Sequence, residues 1–179
     1  MTDAETLVTL IPLADVDPGL IEDVLDRAFG PGRFERTAYR VRGTADWLPA
    51  LSFAAVDGDT LVGTIQTWPV ALTDGAGKAH PLLMVGPVAV IPERQGEGIG
   101  QALMLAMLGA LDHPELQGRA PLPQVLIGDA DYYGRFFGFT AEPTGGWLLP
   151  GPWERDRLLV RAANPAMLPK EGMLGPWLG

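Results

Sequence analysis

The alternation of apolar and polar positions gives this chain a clear opening rhythm. "TLVTLIPL", residues 6–13, reads as a β-strand. In the next stretch, "DPGLIEDVLDRAFG", apolar side chains recur at Leu20, Val24 and Ala28, with Ile21 and Leu25 beside them. That spacing predicts a helix, with Asp17 as its cap, Pro18 in the first turn and Gly30 at its end. Residues 31–49 carry a weaker pattern and predict a short helix around 35–47. "LSFAAVDGDTLVGTIQTWPVAL" then reads as two strands joined at Asp57-Gly58-Asp59, a hairpin signal. "GAGKAH" is a turn, and residues 81–91 are a further apolar strand.

Residues 98–111 predict a helix with a single polar side chain, Gln101, so the pattern predicts cover on most of its sides. "PQVLIGD" follows as a short strand and "ADYYGRFF" as a helical turn, and "GFTAEP" and "ERDRLLVRA" are two closing strands. Hairpins come first and a crossover later, which is an α+β layout with a mixed sheet. We expect one domain over residues 1–179. Its Pro- and Gly-rich tail, 164–179, also holds Met167, Leu168, Met173, Leu174 and Trp177, so it is expected to pack on the domain or on a partner such as a second subunit.

Composition narrows the chemistry. The 22 acidic against 13 basic residues give a net charge of −9, which disfavours nucleic acid and anionic membrane as partners. Cysteine is absent, which removes disulfides and thiolate chemistry, and two histidines, His80 and His113, do not make an ordinary zinc site. We therefore expect no metal. The acidic start "MTDAETL" is unlike a secretory leader, and no apolar run approaches the roughly 20 residues that cross a bilayer, so the expectation is a cytoplasmic protein.

The most informative stretch is "VAVIPERQGEGIGQALMLAML", Val88 to Leu108, in which Gly96, Gly98 and Gly100 stand between a strand and an apolar helix. The first backbone N–H groups of a helix have no partner inside it, and the helix dipole adds positive character there. A phosphate satisfies both, and glycines let it approach. A dinucleotide fingerprint fails because Gln101 stands where the third glycine belongs, and no Gly-Lys-Ser/Thr follows for a nucleoside triphosphate. Upstream, Gly86-Pro87 interrupts "LLMVGPVAV". Proline cannot donate to a ladder, so a bulge there frees main-chain groups of Val88, Ala89 and Val90 for a linear amide ligand. A ligand with both amides and a pyrophosphate is coenzyme A.

Those residues resemble the acetyl-CoA signature of the GCN5-related N-acetyltransferase (GNAT) superfamily, Gln/Arg-x-x-Gly-x-Gly/Ala, which stands here as Gln95-Gly96-Glu97-Gly98-Ile99-Gly100. "VLIGDADYYGRFFGF" and "LLPGPWERDRLLVRA" extend the similarity, toward a bacterial subgroup of acetyltransferases, over roughly residues 5–162. The resemblance implies a central, mixed, mostly antiparallel sheet of about seven strands, with a splayed and bulged fourth strand and about four flanking helices. It implies that Val88, Ala89 and Val90 hold the pantetheine, while Gln95, Gly96, Glu97, Gly98, Ile99, Gly100 and Gln101 wrap the pyrophosphate. The donor would be acetyl-CoA and the acceptor a primary amine, on a small molecule or a protein, attacking directly in a ternary complex.

Three chemical tasks follow: a deprotonated amine, a stabilised oxyanion, and an acid for the thiolate. A backbone N–H near Val90 is the oxyanion donor in the family pattern. For the acid, relatives carry a tyrosine four residues before a Gly-Phe pair, where this chain has Gly134; Tyr133, one residue earlier, takes the role here, against the alternative that Tyr132 and Tyr133 both pack. For the base, His80 titrates in a useful range, but a water chain serves as well. His113 suits a helix C-terminus, Glu93 and Glu97 sit too near the phosphates, and Asp129 reads as the cap of the following helix. Arg33, Arg36, Arg40 and Arg42 either wall an acceptor or meet a coenzyme phosphate, or form a solvated face; Trp47, Trp68 and Trp147 either line a pocket or fill the core. Two classes of function remain: an N-acetyltransferase, or a non-catalytic acyl-CoA-binding sensor or subunit of the same fold.

Overall fold

A computed structural model describes residues 8–112 and 121–178. The fold is mixed α+β, and the described residues form an open, mostly antiparallel sheet of eight strands, in the order β1 (Thr9–Pro12), β2 (Phe53–Asp57), β3 (Thr60–Thr73), β4 (Ala79–Val90), β5 (Gln124–Ile127) and β7 (Leu158–Arg161), to which β8 (Glu171–Pro176) is added on β3 and β6 (Gly146–Leu148) on β8. The described residues form two compact units, one of 8–33, 47–67 and 86–112, the other of 34–46, 68–85 and 121–178. None of the described helices is long and apolar enough to cross a membrane.

In the first unit, β1 (Thr9–Pro12) pairs antiparallel with β2 (Phe53–Asp57), which pairs antiparallel with the first half of β3 (Thr60–Thr73). Asp57 faces Thr60 across a two-residue turn whose Gly58 has φ +60°, so the hairpin signal was correctly placed. The helix α1 (Pro18–Phe29) starts where Asp17 accepts a hydrogen bond from Gly19 N–H at 2.8 Å and stops at Gly30, φ +85°. Its buried face is Ile21, Val24 and Leu25, whereas Leu20, expected in the stripe, is exposed. The end of β4 (Ala79–Val90) leads to α3 (Ile99–Ala110). This helix buries one face, Ile99, Leu103, Met104 and Met107, against β2 and its neighbours, and leaves Leu105 exposed. The expected cover on most of its sides is present, since of its residues only Leu105 and Gly109 are exposed. Gly63 lets α3 come close, because a Cβ there would stand 3.0 Å from both the Ala89 carbonyl oxygen and Ile99 Cγ2.

The second unit holds α2 (Thr37–Arg42), the remainder of β3 and β4, β5 (Gln124–Ile127), α4 (Ala130–Phe137), β6 (Gly146–Leu148), β7 (Leu158–Arg161) and β8 (Glu171–Pro176). Alternate residues point to one face of a strand. Val70 and Leu72, Leu82 and Met84, and Leu158 and Val160 thus supply one core with Trp147, which is fully buried. Its Nε1–H donates to the Pro169 carbonyl at 2.9 Å. "GFTAEP" forms a single bridge, Thr140 to Val160, and a helical turn, Glu142–Thr144, in place of the expected strand. The eighth strand comes from the tail: β8 pairs antiparallel with β3 and parallel with β6. Among the described residues β4 pairs in parallel with β5 at Leu83 and Met84 only, before Gly86.

Trp147→Phe removes the indole donor and leaves the Pro169 carbonyl without it, and we expect a loss of about 1–3 kcal/mol in urea unfolding. A change below a few tenths would mean that the indole is not a core anchor.

Candidate functional site

The end of β4 departs from regular strand geometry. Gly86 has φ +121° and the Gly86-Pro87 peptide is cis. Val88, the buried Ala89 and Val90 follow, and Ile91 N–H is then fastened to the Val62 carbonyl at 3.0 Å. A single helical turn, Pro92–Arg94, delivers the chain to the glycines. The side-chain amide of Gln95, the first residue of the segment expected to wrap a pyrophosphate, donates to the Val90 carbonyl at 3.3 Å.

The three glycines turn out to do different things. Gly96 and Gly98 have φ of +85° and +84°, in the left-handed region that side chains disfavour. Gly98 is also the N-cap of α3 and accepts the first helical hydrogen bond, from Ala102 N–H at 3.0 Å. The N–H groups of Ile99, Gly100 and Gln101 precede that ladder and have no intrahelical acceptor. Gly100 is different: its φ lies outside the left-handed region, and an added Cβ would make only ordinary contacts, 3.6 Å from Val88 Cγ1 and 3.9 Å from Val90 Cγ2. The fold does not require glycine there.

Ion pairs surround this turn. Arg94 donates from Nε to both carboxylate oxygens of Glu97, at 2.9 and 3.1 Å, and from Nη1 to Asp57 Oδ2 at 2.9 Å. Hydrogen bonding to Glu97, then to Asp57, outweighs burial and holds the guanidinium more firmly protonated. One residue earlier, Glu93 is paired with Arg27 of α1; its own backbone N–H, then Arg27, lower its pKa.

In the second unit, Asp129 caps α4 by accepting from Asp131 N–H at 3.0 Å, as the sequence indicated. Tyr133 lays its ring over Gly128, where a Cβ would fall 2.5 Å from Tyr133 Cε2. Tyr132 meets it edge to face with centroids 4.9 Å apart. Burial, with Tyr132 and Asp129 adding and Arg157 opposing, raises the pKa of the Tyr133 hydroxyl. The helix closes with Gly138 N–H on the Gly134 carbonyl and Phe139 N–H on the Tyr133 carbonyl, each at 3.2 Å. A Cβ at Gly134 would lie 3.1 Å from the Phe139 carbonyl oxygen, which gives a physical reason for glycine at this position.

Other candidates are taken up structurally. His80 Nε2 bonds Asp74 at 2.9 Å, and Asp74 also receives Ala76 and Lys78 N–H in the β3–β4 turn. Hydrogen bonding to His80, then to Lys78 N–H, lowers the Asp74 pKa. His113 lies outside the described residues. Arg33 is buried against Glu22 and Asp26 of α1. Arg42 is buried with its guanidinium 3.9 Å from the Tyr39 ring centroid and 4.1 Å from that of Trp68. Arg40 reaches the Pro150 carbonyl at 3.2 Å, and Arg36 is exposed. Trp147 fills the core rather than a pocket, and Trp47 is half-buried. The sequence reading missed Gly63, whose signal was a glycine inside a strand pattern, and the Arg94 network, which joins residues distant in sequence.

Comparison with known proteins places this geometry. The profile described as "Acetyltransferase (GNAT) family" matches residues 20–139. A GNAT family acetyltransferase from Brucella melitensis, solved in complex with acetyl-CoA, is 26% identical, with 97% of this chain and 98% of that chain covered and a TM-score of 0.61. The GNAT family N-acetyltransferase YhbS from Escherichia coli, solved in complex with CoA, is 22% identical, with 99% and 93% covered and a TM-score of 0.70; that likeness concerns the fold. No curated protein matches.

The differing roles of the glycines predict opposite effects on stability. Gly98→Ala forces a side chain into the left-handed region and should cost about 1–2 kcal/mol. Gly100→Ala relieves a helical glycine and should stabilise by up to about 1 kcal/mol. Denaturant midpoints check this, and equal losses would show that both glycines serve the fold.

Proposed function

Because this chain belongs to the acetyltransferase (GNAT) family, we propose that it is an acetyl-CoA-dependent N-acetyltransferase acting on a primary amine of a small molecule or protein, by direct attack in a ternary complex. The observation that carries this reading is Gly100, a helical glycine that neither backbone conformation nor packing demands, beside N–H groups with no helical partner. A Cβ is excluded there for the sake of a ligand oxygen. The acetyl-CoA and CoA bound by the Brucella and Escherichia relatives support coenzyme A as that ligand.

Acetyl-CoA supplies the activated acyl group. The main chain of Val88, Ala89 and Val90 is assigned to the pantetheine amides, and a backbone N–H near Val90 to the developing oxyanion. The segment Gln95, Gly96, Glu97, Gly98, Ile99, Gly100 and Gln101 is assigned to the pyrophosphate, chiefly through backbone N–H groups, since the Gln95 amide and the Glu97 carboxylate have other partners. Tyr133 is assigned as the acid for the thiolate. An alkyl ammonium has a pKa of about 10.4, so the amine must lose a proton first. His80 is held by Asp74, and we assign that step to water.

Thiol release from acetyl-CoA across a panel of amines, including peptide lysines and amino termini, should show turnover with at least one class. Coenzyme binding with no turnover on any of them would instead identify a sensor or subunit. Gly100→Ala should weaken coenzyme A binding about tenfold or more by calorimetry; unchanged affinity would remove the glycines from the coenzyme site. Tyr133→Phe should lower kcat about 100-fold with coenzyme affinity retained. An unchanged kcat would remove it as the acid.

A further inference from the structure

The turn assigned to the pyrophosphate contains a carboxylate, Glu97, between Gly96 and Gly98. An anion at that point opposes a phosphate unless it is held and neutralised. Arg94 does both, because its Nε spans the two Glu97 oxygens at 2.9 and 3.1 Å. Its Nη1 ties the same guanidinium to Asp57 at the end of β2, 2.9 Å away. The arginine side chain is largely buried, 16% exposed, whereas Glu97 and Asp57 are 38% and 43% exposed. The planar fork therefore fixes Glu97 against the β2–β3 hairpin, in a geometry that a point charge would not reproduce. The nearby Arg27–Glu93 pair is half-exposed on both sides and contributes little.

We propose that Arg94 is a positioning residue for coenzyme binding. It anchors the glycine turn to Asp57 and withdraws the Glu97 charge from the pyrophosphate. This inference rests on reading the turn as the pyrophosphate site. Arg94 touches no reacting atom, so its loss acts on affinity and not on the chemical step.

The test compares full-length wild type with Arg94→Met, Glu97→Gln, the double variant, Asp57→Asn and Arg27→Met. Coenzyme A affinity is measured by calorimetry, and KM for acetyl-CoA and kcat by thiol release. Arg94→Met should raise the Kd and KM about tenfold with kcat at saturating donor changed less than about threefold. In the Arg94→Met background, Glu97→Gln should recover at least about threefold of the lost affinity, because it removes the exposed charge. Asp57→Asn should weaken binding about threefold, and it tests the anchor if Arg94→Met does not fold. Arg27→Met should stay within about twofold of wild type. If wild type binds coenzyme A but neither Arg94→Met nor Asp57→Asn weakens binding, or Glu97→Gln gives no recovery in a folded double variant, the inference is overturned alone. If wild type binds no coenzyme A, the underlying reading is overturned and this one with it.

Discussion

A helix cannot satisfy its own first N–H groups, and the candidate site grows from that constraint. At the start of α3 the chain offers no side-chain cap; it offers Gly98, whose carbonyl opens the hydrogen-bond ladder and whose left-handed backbone turns the preceding residues aside. The other features serve that junction. Gly63 lets the helix lie close to the sheet, Ile91 is pinned to Val62, and Arg94 fixes the turn between them. Electrostatics and sterics agree at this point: the helix start favours an anion, and glycine at 100 leaves room for its approach.

Features governed by local rules were legible in the sequence. Asp17 and Asp129 are caps because a carboxylate two residues before a free N–H reaches it, and Gly58 marks a tight hairpin because few other residues adopt its φ. Features set by distant partners were not. β6 and β8 are short strands that exist because they pair with each other and β8 also pairs with β3, and neither carries enough alternation to be seen alone. "GFTAEP" had the composition of a strand but meets its neighbour at one bridge. Leu20 fitted the helical stripe within the width that periodicity resolves, yet the buried face turned toward Ile21. For the site, the motif placed Gln95 to Gln101 but could not tell glycines needed for φ from the one that is not.

The chemistry divides in the same way. Under the proposed function, a backbone oxyanion donor would leave no trace in side-chain identity, and a tyrosine acid would be visible only as one of two adjacent tyrosines. The tight end of α4 gives glycine at 134 a structural role, and Tyr133 beside it is half-buried. His80 shows the opposite lesson: a histidine that the sequence offers as a candidate base is engaged in holding a hairpin turn.

Gly100 also bears on how the molecule would behave in company. A fold that forgoes up to about 1 kcal/mol at one helical position has its stability tied by mass action to whatever binds there. Ligand at a hundredfold excess over its Kd adds about 2.7 kcal/mol to the folded state, more than replacing the deficit. Under the proposed function, the folded state would then be more stable with coenzyme A bound than without it, by an amount set by the free coenzyme concentration.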